Sequence, residues 1–259
     1  KQNRLVSPLM PILRLVERKT YQLSDKVVTI HDYFSETVSK RTSREKLVTI
    51  PNFANGDYSR AEKVNCVSDD FHAERNTFVL GYFGNIGFLQ DWNLVIDSII
   101  ELQKKVPITL LLIGGGGEYT RLKMLSESLD FLTVLPYMPK AKLDRYVNSI
   151  NAHLICMTKA SDFDGLPSKI YSILAIGIPI IAVTSSSSPT ADVLLKSKNA
   201  VLSPLGDKIK FQENIVKLYR KEINLYPDYC IDYIDRTYSK ETILNSYLAL
   251  IVSLKNRYE

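Results

Sequence analysis

Uniformly apolar runs alternate along most of this chain with segments whose apolar residues recur every three or four positions. Phe78–Phe83, Ile108–Ile113, Leu132–Leu135, His153–Cys156 and Ile178–Val183 are apolar almost throughout, which predicts strands buried on both faces. Ala200–Leu202 predicts a further short strand. Helical spacing predicts helices over Trp92–Lys105, Glu118–Leu129, Lys142–Ile150, Thr190–Leu195, Asp207–Arg220 and Tyr238–Lys255. Such a succession of βα units predicts an α/β fold, a Rossmann-like doubly wound parallel sheet with right-handed crossovers. Ligands of such sheets bind at the carboxyl ends of the strands, beside a topological switch. Those ends fall in the loops 84–91, 114–118, 136–140, 157–168 and 184–189.

The first part of the chain reads differently. Residues 1–23 predict an amphipathic helix, Lys26–Ile30 a short strand, His31–Ser35 the opening of a helix, and 47–53 a strand ending at Pro51. Residues 54–76 are polar, rich in turn formers and poor in large apolar groups, which is linker chemistry. The expected organisation is therefore the end of one domain over 1–53, a linker over 54–76, and a Rossmann-like domain over 77–259. The last helix, 238–255, is expected to pack back toward the first domain. The first fifty residues do not make a complete domain, so the expectation is a piece of a longer protein.

Composition narrows the partners. With 259 residues, 45% of them hydrophobic and 24% charged, the chain can bury a large core. A net charge of +5, spread rather than clustered, argues against nucleic acid as a partner and leaves an anionic lipid surface open. The three cysteines, Cys66, Cys156 and Cys230, are distant from one another and have no metal-binding or disulfide spacing. A reducing cytosolic compartment is expected. No apolar run reaches the roughly 20 residues of a membrane helix.

The segment Asp162–Ala182 carries the densest local signals. Gly165 opens a turn, Pro167 suits a helix start, and Ile170, Ile173 and Leu174 follow helical spacing. Gly177 stops the helix, and Pro179 precedes a buried strand. Asp164, Ser168 and Lys169 stand at the mouth of that helix, where unpaired N–H groups and the positive dipole end favour an anion. The expected anion is the diphosphate of a nucleotide-sugar.

Three stretches, in order, resemble one family: Gly-Asn-Ile-Gly at 84–87, Leu-Leu-Ile-Gly-Gly-Gly-Gly-Glu at 111–118, and Gly-Leu-Pro-Ser-Lys-Ile-Tyr-Ser-Ile-Leu-Ala-Ile-Gly-Ile-Pro-Ile-Ile-Ala at 165–182. Together they resemble the C-terminal, donor-binding half of retaining GT-B glycosyltransferases of family four, of the bacterial capsule, O-antigen and exopolysaccharide type. The resemblance implies a sugar transfer from a UDP- or GDP-sugar to a glycan or lipid-linked acceptor, with retention and without a metal. It places Asp164 beside the sugar hydroxyls and makes Lys169 the cation of the diphosphate site; these two are the expected catalytic residues. Gly84, Asn85, Gly87, Gln90, Gly165, Leu166, Pro167, Ser168 and Ser172 join Lys169 around the donor, and Tyr137 and Met138 fall where the base is held. Many family members carry Arg and Lys at the places of Asn85 and Gln90, and a second Glu at the place of Ser172. The acceptor site belongs to the N-terminal domain. The resemblance therefore implies donor binding without turnover by this chain, at the cytoplasmic side, and leaves peripheral contact with the membrane open.

Plainer readings stand beside these. Asp164 also suits a turn cap before Pro167, Ser172 a small packing residue, Tyr137 strand-end packing, and Gly114–Gly117 turn geometry. His153 reads as a core or edge residue, His31 as structural or facing an interdomain cleft, and Trp92 as an anchor of its helix. The Ser185–Ser188 run suits a plain loop or a contact to diphosphate or sugar. Asp69-Asp70 is no Asp-X-Asp metal motif. A non-catalytic partner subunit with the same fold is the alternative function. A nucleotide-dependent epimerase or dehydrogenase calls for Gly-x-Gly-x-x-Gly, which 84–87 lacks.

Overall fold

A computed structural model of the chain describes residues 9–56, 71 and 76–256. The expectations on residues 1–8, on most of the 54–76 linker and on Cys66, Asp69 and Asp70 lie outside them. The chain divides into two compact units, Lys1–Phe53 with Tyr238–Glu259, and Ala54–Thr237.

In the first unit, α1 (Met10–Leu23), β1 (Val27–Thr29), α2 (Asp32–Ser39) and β2 (Leu47–Thr49) follow one another. β1 and β2 pair in parallel. The His31 Nδ1 accepts from the Tyr33 N–H and caps α2, a structural use of that histidine. Lys46 donates to the carbonyls of Gln22 and Ser24 at the end of α1.

The second unit holds a six-stranded sheet made of β3 (Phe78–Asn85), β4 (Ile108–Gly115), β5 (Leu132–Leu135), β6 (Ala152–Cys156), β7 (Ile180–Val183) and β8 (Ala200–Ser203). All pairs are parallel and the order is β5-β4-β3-β6-β7-β8. The chain runs outward from β3 through β4 to β5, then returns to lay β6 on the other side of β3. The switch point therefore lies between β3 and β6. Adjacent residues of a strand face opposite sides. Leu110 and Leu112 pack in a cluster with Trp92, Ile99, Phe211 and Ile215, while Leu111 and Ile113 of the other face are buried too. A sheet covered on both faces is what the unbroken apolar strands demand.

The connecting helices are α3 (Trp92–Leu102), α4 (Tyr119–Leu125), α5 (Lys140–Val147), α6 (Lys169–Leu174), α7 (Pro189–Ser197), α8 (Lys208–Tyr219) and α9 (Pro227–Tyr238). Finally, α10 (Lys240–Lys255) belongs to the first unit. Several differ from the periodicity. α9 is absent from the expected elements, although Pro227 opens it and Cys230 and Ile234 bury one side. The expected last helix starts later because Ser239 Oγ accepts from the Thr242 N–H and caps α10. α3 stops at Leu102 and α4 at Leu125, short of the expected ends.

The glycine loop after β3 also needs correction. Gly84 and Asn85 are strand residues, paired with Gly114 and Gly115. The strands run that far because two glycines meet: a Cβ on Gly114, whose φ is +158°, would stand 1.7 Å from the Gly84 carbonyl oxygen. Only glycine permits this approach.

Candidate functional site

The β3 and β6 ends open onto a cavity of about 390 Å³, at the switch point of the sheet. β3 contributes Tyr82, Phe83, Gly84 and Asn85; β6 contributes His153, Ile155 and Cys156. The loop and turn before α6, with α6 itself, contribute Asp164, Gly165, Leu166, Pro167, Ser168, Lys169 and Ile170. The size suits a small-molecule ligand.

Lys169 begins α6 and is half-buried. Its side chain crosses to the end of β3, where a Cβ added to Gly84 would stand 3.8 Å from Nζ. A positive charge thus stands over backbone at the switch point. Asp164 is exposed at the mouth, and among the described residues its carboxylate has no hydrogen-bond or ion-pair partner. It does not cap the turn. A Cβ on Gly165 would meet nothing within 4 Å, so the fold itself leaves that space open. α6 spans only six residues, and Ser168 makes no side-chain cap. The anion-attracting character of this mouth therefore rests on the lysine more than on a helix dipole.

The wall opposite α6 is fixed by hydrogen bonds. Trp92 Nε1 donates to the Gly87 carbonyl at 3.0 Å, and the Gly87 N–H donates to Gln90 Oε1 at 2.9 Å. The buried Trp92 thus anchors both its helix and the loop. The Ser161 hydroxyl donates to the Leu89 carbonyl at 2.7 Å. The neighbouring Asp162 is fully buried; it accepts from Thr184 Oγ1 at 2.5 Å and from the Ser185 N–H. Ser161 and Asp162 therefore tie the segment carrying Asp164 and Lys169 to the loops after β3 and β7. Ser185–Ser188 serves this network, with Ser188 Oγ capping α7.

Burial strongly shapes the protonation of the inner wall. His153 is 4% exposed, and its pKa falls to about 3 through desolvation and the nearby Lys169 charge. It is a neutral imidazole at ordinary pH. The Tyr82 hydroxyl, which donates to the Asn85 carbonyl at 2.7 Å, and the Cys156 thiol are both pushed up by burial and stay protonated.

The cavity thus gathers Gly84, Asn85, Gln90, Asp164, Gly165, Leu166, Pro167, Ser168 and Lys169 from the sequence-derived set. It does not include Gly87, Ser172, Tyr137 or Met138. Ser172 is buried in α6 at 2% exposure. Tyr137 is 64% exposed, its ring against Gly115. His153, Ser161 and the aromatic pair Tyr82 and Phe83 were not among the expected site residues. The signal for His153 was a lone polar residue in an otherwise apolar strand.

A parallel Rossmann-like sheet with a cavity at its switch point makes this an α/β protein whose fold matches solved GT-B glycosyltransferases. The chain belongs to the family described as glycosyl transferases group 1, whose sequence profile matches residues 68–236. It is 25% identical over 167 residues to Escherichia coli K12 WcaI, which bears the name "Putative colanic acid biosynthesis glycosyl transferase". That alignment covers 62% of this chain and 41% of WcaI. Among solved structures, the lipopolysaccharide outer core galactosyltransferase WaaB aligns at TM-score 0.65 with 18% identity, over 89% of this chain and 62% of WaaB. Anabaena HepE in complex with UDP aligns at TM-score 0.71 with 13% identity, over 90% of this chain and 65% of HepE.

Proposed function

We propose that this chain is the donor-binding half of a retaining glycosyltransferase. It holds a UDP- or GDP-sugar, whose sugar passes to a hydroxyl of a glycan or lipid-linked acceptor. The observation that carries the reading is the Lys169 ammonium beside Gly84, at the switch-point end of β3, in one cavity with Asp164 and the open Gly165 turn.

The chemistry follows from charge. Cleaving the bond between the anomeric carbon and the diphosphate leaves negative charge on the departing oxygen. A fixed ammonium, with backbone N–H groups of the 165–168 turn, stabilises that charge without a metal. Asp164 is an acceptor for sugar hydroxyls and lies at the mouth, where the sugar would emerge. Binding to UDP in HepE supports the ligand class. Acceptor recognition is assigned to a domain outside this chain, so the chain alone binds donor and does not turn over. It works at the cytoplasmic side, in peripheral contact with the membrane. Among the described residues, no helix is long and apolar enough to cross a membrane.

One observation favours a second reading, a non-catalytic nucleotide-sugar-binding subunit. Gln90 engages the Gly87 N–H with its carbonyl oxygen, and the Ile86 N–H donates to the Gly115 carbonyl, so the loop after β3 offers a phosphate neither those two N–H groups nor a charge. Calorimetry with UDP, GDP and their sugars tests donor binding. The first reading predicts that Lys169→Met weakens diphosphate binding roughly 10- to 100-fold, the range for a lost charged hydrogen bond. Unchanged affinity refutes it. Adding the acceptor-binding portion in trans and measuring transfer separates the two readings.

A further inference from the structure

We propose that His153 is a specificity-determining residue of this cavity, hydrogen-bonding a hydroxyl of the sugar carried by the nucleotide. The inference rests on the nucleotide-sugar reading above and goes beyond it in naming the group that reads the sugar. His153 lines the cavity, is 4% exposed, and its Nδ1 has no hydrogen-bond partner among the described residues. Buried polar atoms are nearly always paired, and leaving one unpaired costs stability. The fold nevertheless keeps it inside an apolar strand, with the Tyr82 ring at 6.0 Å and the Phe83 ring at 5.6 Å. Packing alone would be served by phenylalanine. Nδ1 is itself sealed from the cavity, so a ligand there pairs the imidazole once a χ2 turn brings a ring nitrogen to the lining.

The chemistry of the ring selects the ligand group. Burial and the Lys169 charge keep the imidazole neutral, so it is no counter-ion for phosphate. A neutral imidazole offers one donor and one acceptor, and a sugar hydroxyl likewise donates and accepts. Lys169 already supplies the cation for the diphosphate. The division is charge at Gly84 for the phosphates and a neutral polar group for the sugar.

The test uses the whole chain and calorimetry with UDP, GDP, UDP-glucose, UDP-galactose, UDP-N-acetylglucosamine and GDP-mannose. The proposal predicts a nucleotide-sugar that binds more tightly than its diphosphate. In His153→Phe that sugar affinity falls about 3- to 10-fold while diphosphate affinity stays within about twofold. His153→Gln, which keeps a donor and an acceptor, recovers part of the loss. Equal weakening of both ligands, or of neither, overturns the proposal, as does a wild type that gains nothing from the sugar. If the wild type binds none of the six, the nucleotide-sugar reading itself falls. Should His153→Phe not fold, the imidazole ¹⁵N resonances of the wild type decide. A shift of the His153 signal with nucleotide-sugar beyond that with diphosphate supports the contact, and identical spectra refute it.

Discussion

Replacing Gly114 by alanine probes the joint on which the site is built. The new methyl would stand 1.7 Å from the Gly84 carbonyl oxygen and 2.9 Å from its carbon, at a φ of +158° that side chains rarely adopt. Restoring a 3.0 Å separation means opening the β3–β4 pair by about 1.3 Å at its carboxyl end. Overpacking and backbone strain together cost about 2–5 kcal/mol. The displaced Gly84 also leaves Lys169 Nζ, so nucleotide affinity should fall as well. Urea denaturation followed by fluorescence measures the first effect, because Trp92 is the only tryptophan and is buried against Tyr82. Calorimetry measures the second. An alanine variant within about 0.5 kcal/mol of wild type would refute the claim that a glycine is needed there.

Three more outcomes follow from the same geometry. Gly165→Ala should keep or slightly raise stability, by up to about 1 kcal/mol, because nothing lies within 4 Å of the new methyl. It should still weaken nucleotide binding by filling the mouth, so unchanged affinity would count against close backbone approach there. His153 makes stability pH-dependent. Its folded pKa of about 3 lies below the unfolded value near 6.5, so the unfolded chain takes up the proton first. Stability is full above about pH 6.5 and falls, by about 1.4 kcal/mol per pH unit from this residue, as pH drops toward 3. The stability difference between wild type and His153→Phe should therefore shift between pH 7.5 and pH 5, and a constant difference contradicts the assignment. Asp162→Ala should cost about 2–4 kcal/mol, since the Ser185 N–H loses its acceptor; a melting temperature equal to wild type would contradict the role of Asp162 in tying its segment to the loop after β7.

Much of the scaffold was legible from periodicity because the strands are apolar on both faces and the helices are not. The lining of the cavity was legible where one segment carries its own turn chemistry, as Gly165, Pro167 and Gly177 do around Lys169. What escaped depends on long-range pairing. That Gly84 and Asn85 continue β3 follows from Gly114, thirty residues on in the chain, and no local pattern reports it. The roles of Ser161 and Asp162 depend on Leu89, Thr184 and Ser185, which the fold alone brings near. α9 was missed because tyrosine and aspartate dominate Pro227–Tyr238 and dilute its apolar stripe.

The most direct test is a crystal structure of this chain with a nucleoside diphosphate. Both phosphates should lie in the β3–β6 cavity, with an oxygen of one within hydrogen-bond reach of Lys169 Nζ and the other facing the Gly165–Ser168 backbone. Phosphates bound elsewhere, or a nucleotide held with Lys169 turned to solvent, would contradict it.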